Sequence, residues 1–164
     1  METRKAKPIT RENFRRYGDF CTIHNTDAFS FGFGRNTVSE FFPDILSFFP
    51  ALGPLSVSLC SVGIRPMLVD MIECHASTDE MIYIHGGDAV IFAGFTAGDI
   101  NTDCLEAFYI PEGTLVRINR GVLHGAQYAV DRPITVLVLL PERTFVNDMQ
   151  YITLEGDDRL ELTV

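Results

Sequence analysis

From Leu55 to Leu140 the chain alternates short apolar runs with clusters of glycine, proline and aspartate. A new run begins about every eight to twelve residues, the rhythm of an all-β protein. The candidate strands are Ser56–Val62, Met67–Glu73, Glu80–Ile84, Ala89–Phe95, Leu105–Ile110, Thr114–Ile118, Leu123–Tyr128 and Ile134–Leu140, rich in Val, Ile, Leu, Tyr and Phe. Turns such as His85-Gly86-Gly87-Asp88 and Pro111-Glu112-Gly113 join them. Short strands at this spacing predict a closed β-barrel or jelly roll, which removes exposed sheet edges.

The first third of the chain follows another pattern. Thr10 is placed as the N-cap of a short helix, with Phe14 and Tyr17 three apart and Gly18 as a stop. Between Asn25 and Pro54, prolines and glycines interrupt a phenylalanine-rich stretch that includes Phe41-Phe42 and Phe48-Phe49. This segment is expected to be an irregular aromatic cover on the sheet, with a turn or two of helix between Thr37 and Phe48. Residues 1–8 are polar and expected to form a flexible, solvated tail. Residues 9–164 are then one domain, with the cover over 9–54 and the barrel strands over 55–164.

Composition narrows the classes of function. The chain has 164 residues, 46% of them hydrophobic, which supplies one ordinary core. Its 13 lysines and arginines stand against 22 aspartates and glutamates, a formal charge of −9, so a nucleic acid would meet a field of the wrong sign. The run Ile134–Leu140 is far shorter than the roughly 20 residues of a membrane span. With no apolar leader in the N-terminal tail, the cytoplasm is the expected compartment. Cys21, Cys60, Cys74 and Cys104 are too scattered for a zinc-knuckle spacing and are expected to be buried free thiols. Phe31-Gly32-Phe33-Gly34-Arg35 lacks the spacing of a phosphate loop and is expected to be a flexible lid or aromatic cover.

Chemistry concentrates in two short stretches. In Glu73-Cys74-His75, alternation along a strand puts Glu73 and His75 on one face and Cys74 on the other. After four intervening residues Glu80 opens the next strand, close enough for its carboxylate to approach the same spot. The second stretch runs from Gly113 through Asn119-Arg120-Gly121-Val122-Leu123-His124 to Tyr128.

Together these resemble the paired signature of the cupin superfamily, G(x)5HxH(x)3–4E(x)6G followed by G(x)5PxG(x)2H(x)3N. The matches are His75, Glu80 and Gly87, then Gly113, Gly121 and His124. The departures are Glu73 for the first histidine, Asn119 for the proline, Tyr128 for the asparagine and Met67 for the first glycine. The resemblance implies a cupin-type barrel and places His75, Glu80 and His124 on metal-ligand positions, with a carboxylate, Glu73, in place of the remaining imidazole. Two imidazoles and two carboxylates suit one divalent ion, with Mn, Fe, Ni and Zn not separable by ligand type.

Within that superfamily the chain is similar to the ureidoglycolate lyases from about Ile9 to about Leu140. The likeness is carried by Phe14-Arg15-Arg16-Tyr17-Gly18-Asp19, by Glu73-Cys74-His75, and by Arg120-Gly121-Val122-Leu123-His124 followed by Asp131-Arg132-Pro133. It implies release of urea and glyoxylate from a small hydroxy ureido acid, with Glu73 or His124 as general base and metal chelation of the hydroxy acid. Ile118, Asn119 and Gly125 replace a Tyr-His pair and a second histidine of those lyases, and Glu80 stands where they tend to have glutamine. These changes remove acid/base groups and add a ligand, so a shifted substrate or reaction is expected.

Arg120 is the candidate for holding a substrate carboxylate through its guanidinium fork, and Tyr128 a second substrate contact. Tyr83 and Tyr109 line the barrel or simply pack. His85 faces away from Glu80. Two other readings stay open: a non-catalytic cupin that binds a small molecule or sugar, and a sugar isomerase or epimerase. A homodimer, joined by strand exchange or sheet packing, is the expected assembly.

Overall fold

The computed structural model describes residues 2–23, 31–32, 40–50, 53–96, 98 and 101–164. Strands β1 (Glu2–Lys5) and β2 (Lys7–Pro8) open the chain, and both pair in parallel with later strands. The segment expected as a solvated tail is therefore part of two sheets. Its polar side chains misled because strand pairing here uses the backbone while most of the side chains stay in water.

Helix α1 (Arg11–Phe14) is one turn long. The Thr10 hydroxyl accepts from the Asn13 N–H at 3.2 Å, and the Asn13 side chain accepts from the Thr10 N–H at 2.9 Å, a reciprocal cap. The helix stops short because β3 (Gly18–Thr22) begins at once against a neighbouring strand. A Cβ on Gly18 would lie 1.7 Å from the Arg117 carbonyl oxygen, so only glycine permits this approach.

Strands β4 (Phe31–Gly32) and β5 (Glu40–Phe41) pair antiparallel. The helical turn expected between Thr37 and Phe48 is not found in residues 40–48, where Pro43 and a left-handed Asp44 make a bend; residues 37–39 lie outside the described residues.

Then follow β6 (Leu55–Val62), β7 (Leu68–Val69), β8 (Met71–His75), β9 (Glu80–His85), β10 (Ala89–Gly94), β11 (Leu105–Ile110) and β12 (Thr114–Ile118). The chain ends with β13 (Tyr128–Ala129), β14 (Ile134–Pro141), α2 (Thr144–Asn147), β15 (Met149–Thr153) and β16 (Leu160–Thr163). The run expected as Met67–Glu73 is split at Asp70. Residues 123–127 are not a strand: Leu123 and His124 make single bridges to Gly94 and Glu73 instead. β15 and β16 lay beyond the last expected strand.

A five-stranded sheet in the order β3-β12-β9-β14-β6 faces a four-stranded sheet in the order β13-β10-β11-β2. The first core lies between them, with Ile82, Ile84, Val116, Ile118, Val136 and Val138 from one sheet meeting Ala89, Ile91, Ala93, Phe108 and Ile110 from the other. Ile9 and Phe20 of the expected cover pack onto it.

A second core lies behind the four-stranded sheet. Val90 and Phe92, on the other face of β10, pack there with Val69, Ile72, Leu160 and Leu162. Burial on both faces explains why β10 reads as an unbroken apolar run. The fold is thus all-β, a double-sheet barrel with an extra sheet built from both ends of the chain. Among the described residues no helix is long and apolar enough to cross a membrane. All four cysteines are free, but only Cys21 is buried; the other three are partly exposed, since each lies on a strand face or turn at the border of a core.

Candidate metal centre

Glu80 sits at the first position of β9, on the same face as Ile82 and Ile84, so one carboxylate terminates an apolar row inside the barrel. It is 6% exposed. His75 ends β8 and is tied to the second motif by the Gly121 N–H, which donates to the His75 carbonyl at 2.7 Å. His124 and Glu73 exchange both backbone hydrogen bonds, at 2.8 and 2.9 Å. The glycine turn at Gly121 (φ +76) lets the loop fold back to make these contacts.

The result is a trio with one focus. Nε2 of His124 lies 3.0 Å, and Nε2 of His75 3.2 Å, from the same Glu80 oxygen, Oε2. The two imidazoles are 2% exposed and their centroids are 5.3 Å apart. One ligand atom from each of the three residues falls within 4.8 Å of the others, a group able to hold a metal ion.

Hydrogen bonds on the far side of each ring fix its orientation. Nδ1 of His124 faces the Val122 carbonyl at 2.8 Å, and Nδ1 of His75 faces the Asp148 carbonyl at 3.1 Å. A carbonyl only accepts, so each Nδ1 carries the proton, and a neutral ring presents its Nε2 lone pair to Glu80. Two lone pairs and a carboxylate oxygen then face one another. That arrangement demands positive charge, supplied by protons or by a cation, and imidazoles steered by backbone carbonyls are what a metal site requires. The residues fit a divalent metal.

The titration behaviour agrees. Burial by itself would raise the Glu80 carboxyl, but hydrogen bonds and charge from His124 and His75 hold it down to about 2. Burial opposes protonation of both histidines, yet contact with Glu80 raises both above the ordinary value. Glu73 moves the other way. Burial and the nearby Glu80 charge push its carboxyl up, only partly offset by the two histidines.

Of the four ligands expected from sequence, three converge and one does not. The Glu73 carboxylate is not among the ligand atoms that lie within 4.8 Å of one another, although it is near enough to feel the charges of His124, Glu80 and His75. Arg120 is on the loop that carries Gly121, but its side chain is 59% exposed, with Nε 3.8 Å from the buried Asp79 carboxylate.

Tyr128 is turned away. It is in register with Val90, a residue of the second core, so it faces the side of the sheet opposite Glu80. Its hydroxyl donates to the Leu68 carbonyl at 2.7 Å and its ring lies under the Arg65 guanidinium. Of the expected strand Leu123–Tyr128 only Tyr128 lies in a strand, and it faces the other side of the sheet. Tyr83 alternates with Ile82 and Ile84 and so also points outward, whereas His85 is exposed as expected.

Two residues missed from sequence support the site, Asp148 directly and Phe92 only through Gly125, the neighbour of His124 in the chain. Asp148 orients His75 through its carbonyl, and its carboxylate accepts the N–H groups of Ala76 and Ser77 at 3.1 and 2.9 Å. Phe92 fills the place beside Gly125, where a Cβ would lie 2.7 Å from the ring. Neither carries a motif signal, since both act from elements distant in sequence.

No protein-family model matches the chain, and no curated protein matches it. Among solved structures it is similar to oxalate decarboxylase from Bacillus subtilis, at 17% identity and a TM-score of 0.43 over 62% of this chain and 24% of that one. Procruciferin, an 11S globulin from Brassica napus, gives 17% and 0.44 over 63% and 23%. A dTDP sugar isomerase from Desulfovibrio desulfuricans G20 gives 14% and 0.49 over 85% and 83%. The match spans about a quarter of the first two chains, and likenesses this distant carry no chemistry. The two facing sheets make this an all-β barrel, in which His75, Glu80 and His124 of the two short motifs are brought together.

Proposed function

We propose that the protein is a metal-dependent enzyme acting on a small hydroxy or ureido acid, with carbon–nitrogen lyase activity of the ureidoglycolate lyase kind. The observation that carries this reading is the focus of two carbonyl-steered imidazoles on one buried carboxylate oxygen, with a second carboxyl, Glu73, left beside it. His75, Glu80 and His124 would hold the ion; a divalent cation there supplies Lewis acidity toward a substrate oxygen.

The residue roles divide by availability. Both nitrogens of His124 are engaged, so Glu73 is the acid/base group. Burial raises its proton affinity, which suits a group that takes a proton and returns it. In the lyase reaction the substrate hydroxyl gives its proton to Glu73 as the carbon–nitrogen bond breaks and the electron pair leaves with the urea nitrogen. The same proton then passes to that nitrogen, releasing urea and glyoxylate. Arg120, exposed on the adjoining loop, takes the substrate carboxylate.

The homodimer belongs to the same proposal. β6 is a sheet edge without a charged residue, and its Leu55, Val57 and Leu59 are exposed, which supports burial against a second copy. The test is turnover of ureidoglycolate and related hydroxy acids by the metal-loaded protein and by Glu73→Gln. The reading expects urea release by the parent alone. Tight binding of a hydroxy acid without turnover by either protein would move the function to the non-catalytic, ligand-binding class.

A further inference from the structure

On the outer side of the five-stranded sheet, α1, β3 and β12 border an open groove of about 580 Å³ lined by Arg11, Glu12, Arg15, Gly18, Asp19 and Arg117. Three arginines and two carboxylates line it, a local excess of positive charge in a chain of net charge −9. Val116 and Ile118 face the first core, so Arg117 between them faces outward, on the opposite side of the sheet from Glu80. This place is separate from the metal centre.

The arginines are not consumed by the fold. Arg117 donates one hydrogen bond from Nη1 to the Ser47 carbonyl at 2.7 Å, while its Nε is buried and has no partner. That Nε is closed off from the groove, so a ligand there would meet the Nη groups of Arg117 instead. Arg11 and Arg15, four apart and therefore on one side of the helical turn, have no ion-pair partner among the described residues. Gly18 leaves the floor bare, because no side chain fits against the Arg117 carbonyl.

The lining also limits the ligand. Glu12 and Asp19 repel a bare polyanion but accept from hydroxyl groups; one Asp19 oxygen already takes the Phe20 N–H at 2.9 Å. The volume lies within the range of about 300–1,000 Å³ usual for small-molecule sites. We propose that this groove is a second ligand site, which takes a small organic phosphate of the sugar-phosphate class. The phosphate sits among Arg11, Arg15 and Arg117, and the sugar hydroxyls donate to Glu12 and Asp19.

The experiment is calorimetric titration of the full chain with ribose 5-phosphate and with inorganic phosphate, repeated on Arg15→Gln and Arg117→Gln. Saturable binding of ribose 5-phosphate, tighter than that of inorganic phosphate and weakened about tenfold in each variant, is expected. Metal content should stay at the parent level in both. Arg15 is exposed, so its replacement tests the site without threatening the fold. Absence of saturable binding up to about 10 mM, equal binding by Arg15→Gln, or no preference over inorganic phosphate would overturn the proposal.

Discussion

Glu73 and His124, 51 positions apart in sequence, form a backbone pair in which each N–H donates to the other's carbonyl, at 2.8 and 2.9 Å. This pair fastens the second motif onto the first. It fixes His124 toward Glu80, while the Glu73 carboxylate is not among the converging ligand atoms. Glu73→Gln should therefore keep the metal stoichiometry of the parent and lose its turnover. Elemental analysis beside a urea-release assay checks both; loss of metal in Glu73→Gln would restore Glu73 as a ligand.

The trio gives opposite pH dependences with and without metal. Glu80 has its carboxyl depressed to about 2, so its contribution to stability is present above the unfolded value, about 4.3, and is lost as pH falls toward 2. His75 and His124 are raised, so theirs is full below about 6.5 and is lost as pH rises through their folded values. The metal-free protein should thus lose thermal stability as pH rises above about 6.5. Metal binding displaces those imidazole protons, so affinity should increase over the same interval. Melting curves across pH, with chelator and with added metal, check the two slopes. Parallel slopes would mean that the histidines do not bind the ion.

Asp148 is expected to act on the metal through His75. Asp148→Ala removes the acceptor of the Ala76 and Ser77 N–H groups and loosens the turn that aims His75. Loss of about 1–3 kcal/mol of stability is expected, with metal affinity about tenfold weaker. Denaturant unfolding and competition with a chelator measure the two effects. Unchanged metal affinity would reduce Asp148 to a structural role.

Gly125 and Phe92 form a size-matched pair. Gly125→Ala forces a Cβ to within 2.7 Å of the Phe92 ring and should destabilise by about 1–3 kcal/mol. Adding Phe92→Leu should recover part of that loss. Additive losses in the double variant would show that the two positions do not compete for the same space.

Much of this was legible in the residues. Alternation in Glu73-Cys74-His75 and the spacing to Glu80 and His124 depend only on local geometry, and the structure brings His75, Glu80 and His124 together as that spacing implied. The errors share a cause. Residues 2–8 and β16 are short and polar on one side, and pair with strands from the other end of the chain, so no local pattern announces them. Tyr128 was misplaced because the loop from Gly121 to Gln127 is irregular, which breaks the count of alternation from His124. Asp148 stayed invisible because what it offers His75 is a carbonyl, which every residue possesses.

The central claim is that His75, Glu80 and His124 hold one divalent metal ion. Elemental analysis of protein purified without chelator or histidine tag, beside His75→Ala and Glu80→Ala, tests it most directly. The account predicts near-stoichiometric metal in the parent and its loss in both variants. A parent that stays metal-free after incubation with Mn, Fe, Ni and Zn salts, or variants that keep the ion, would contradict it.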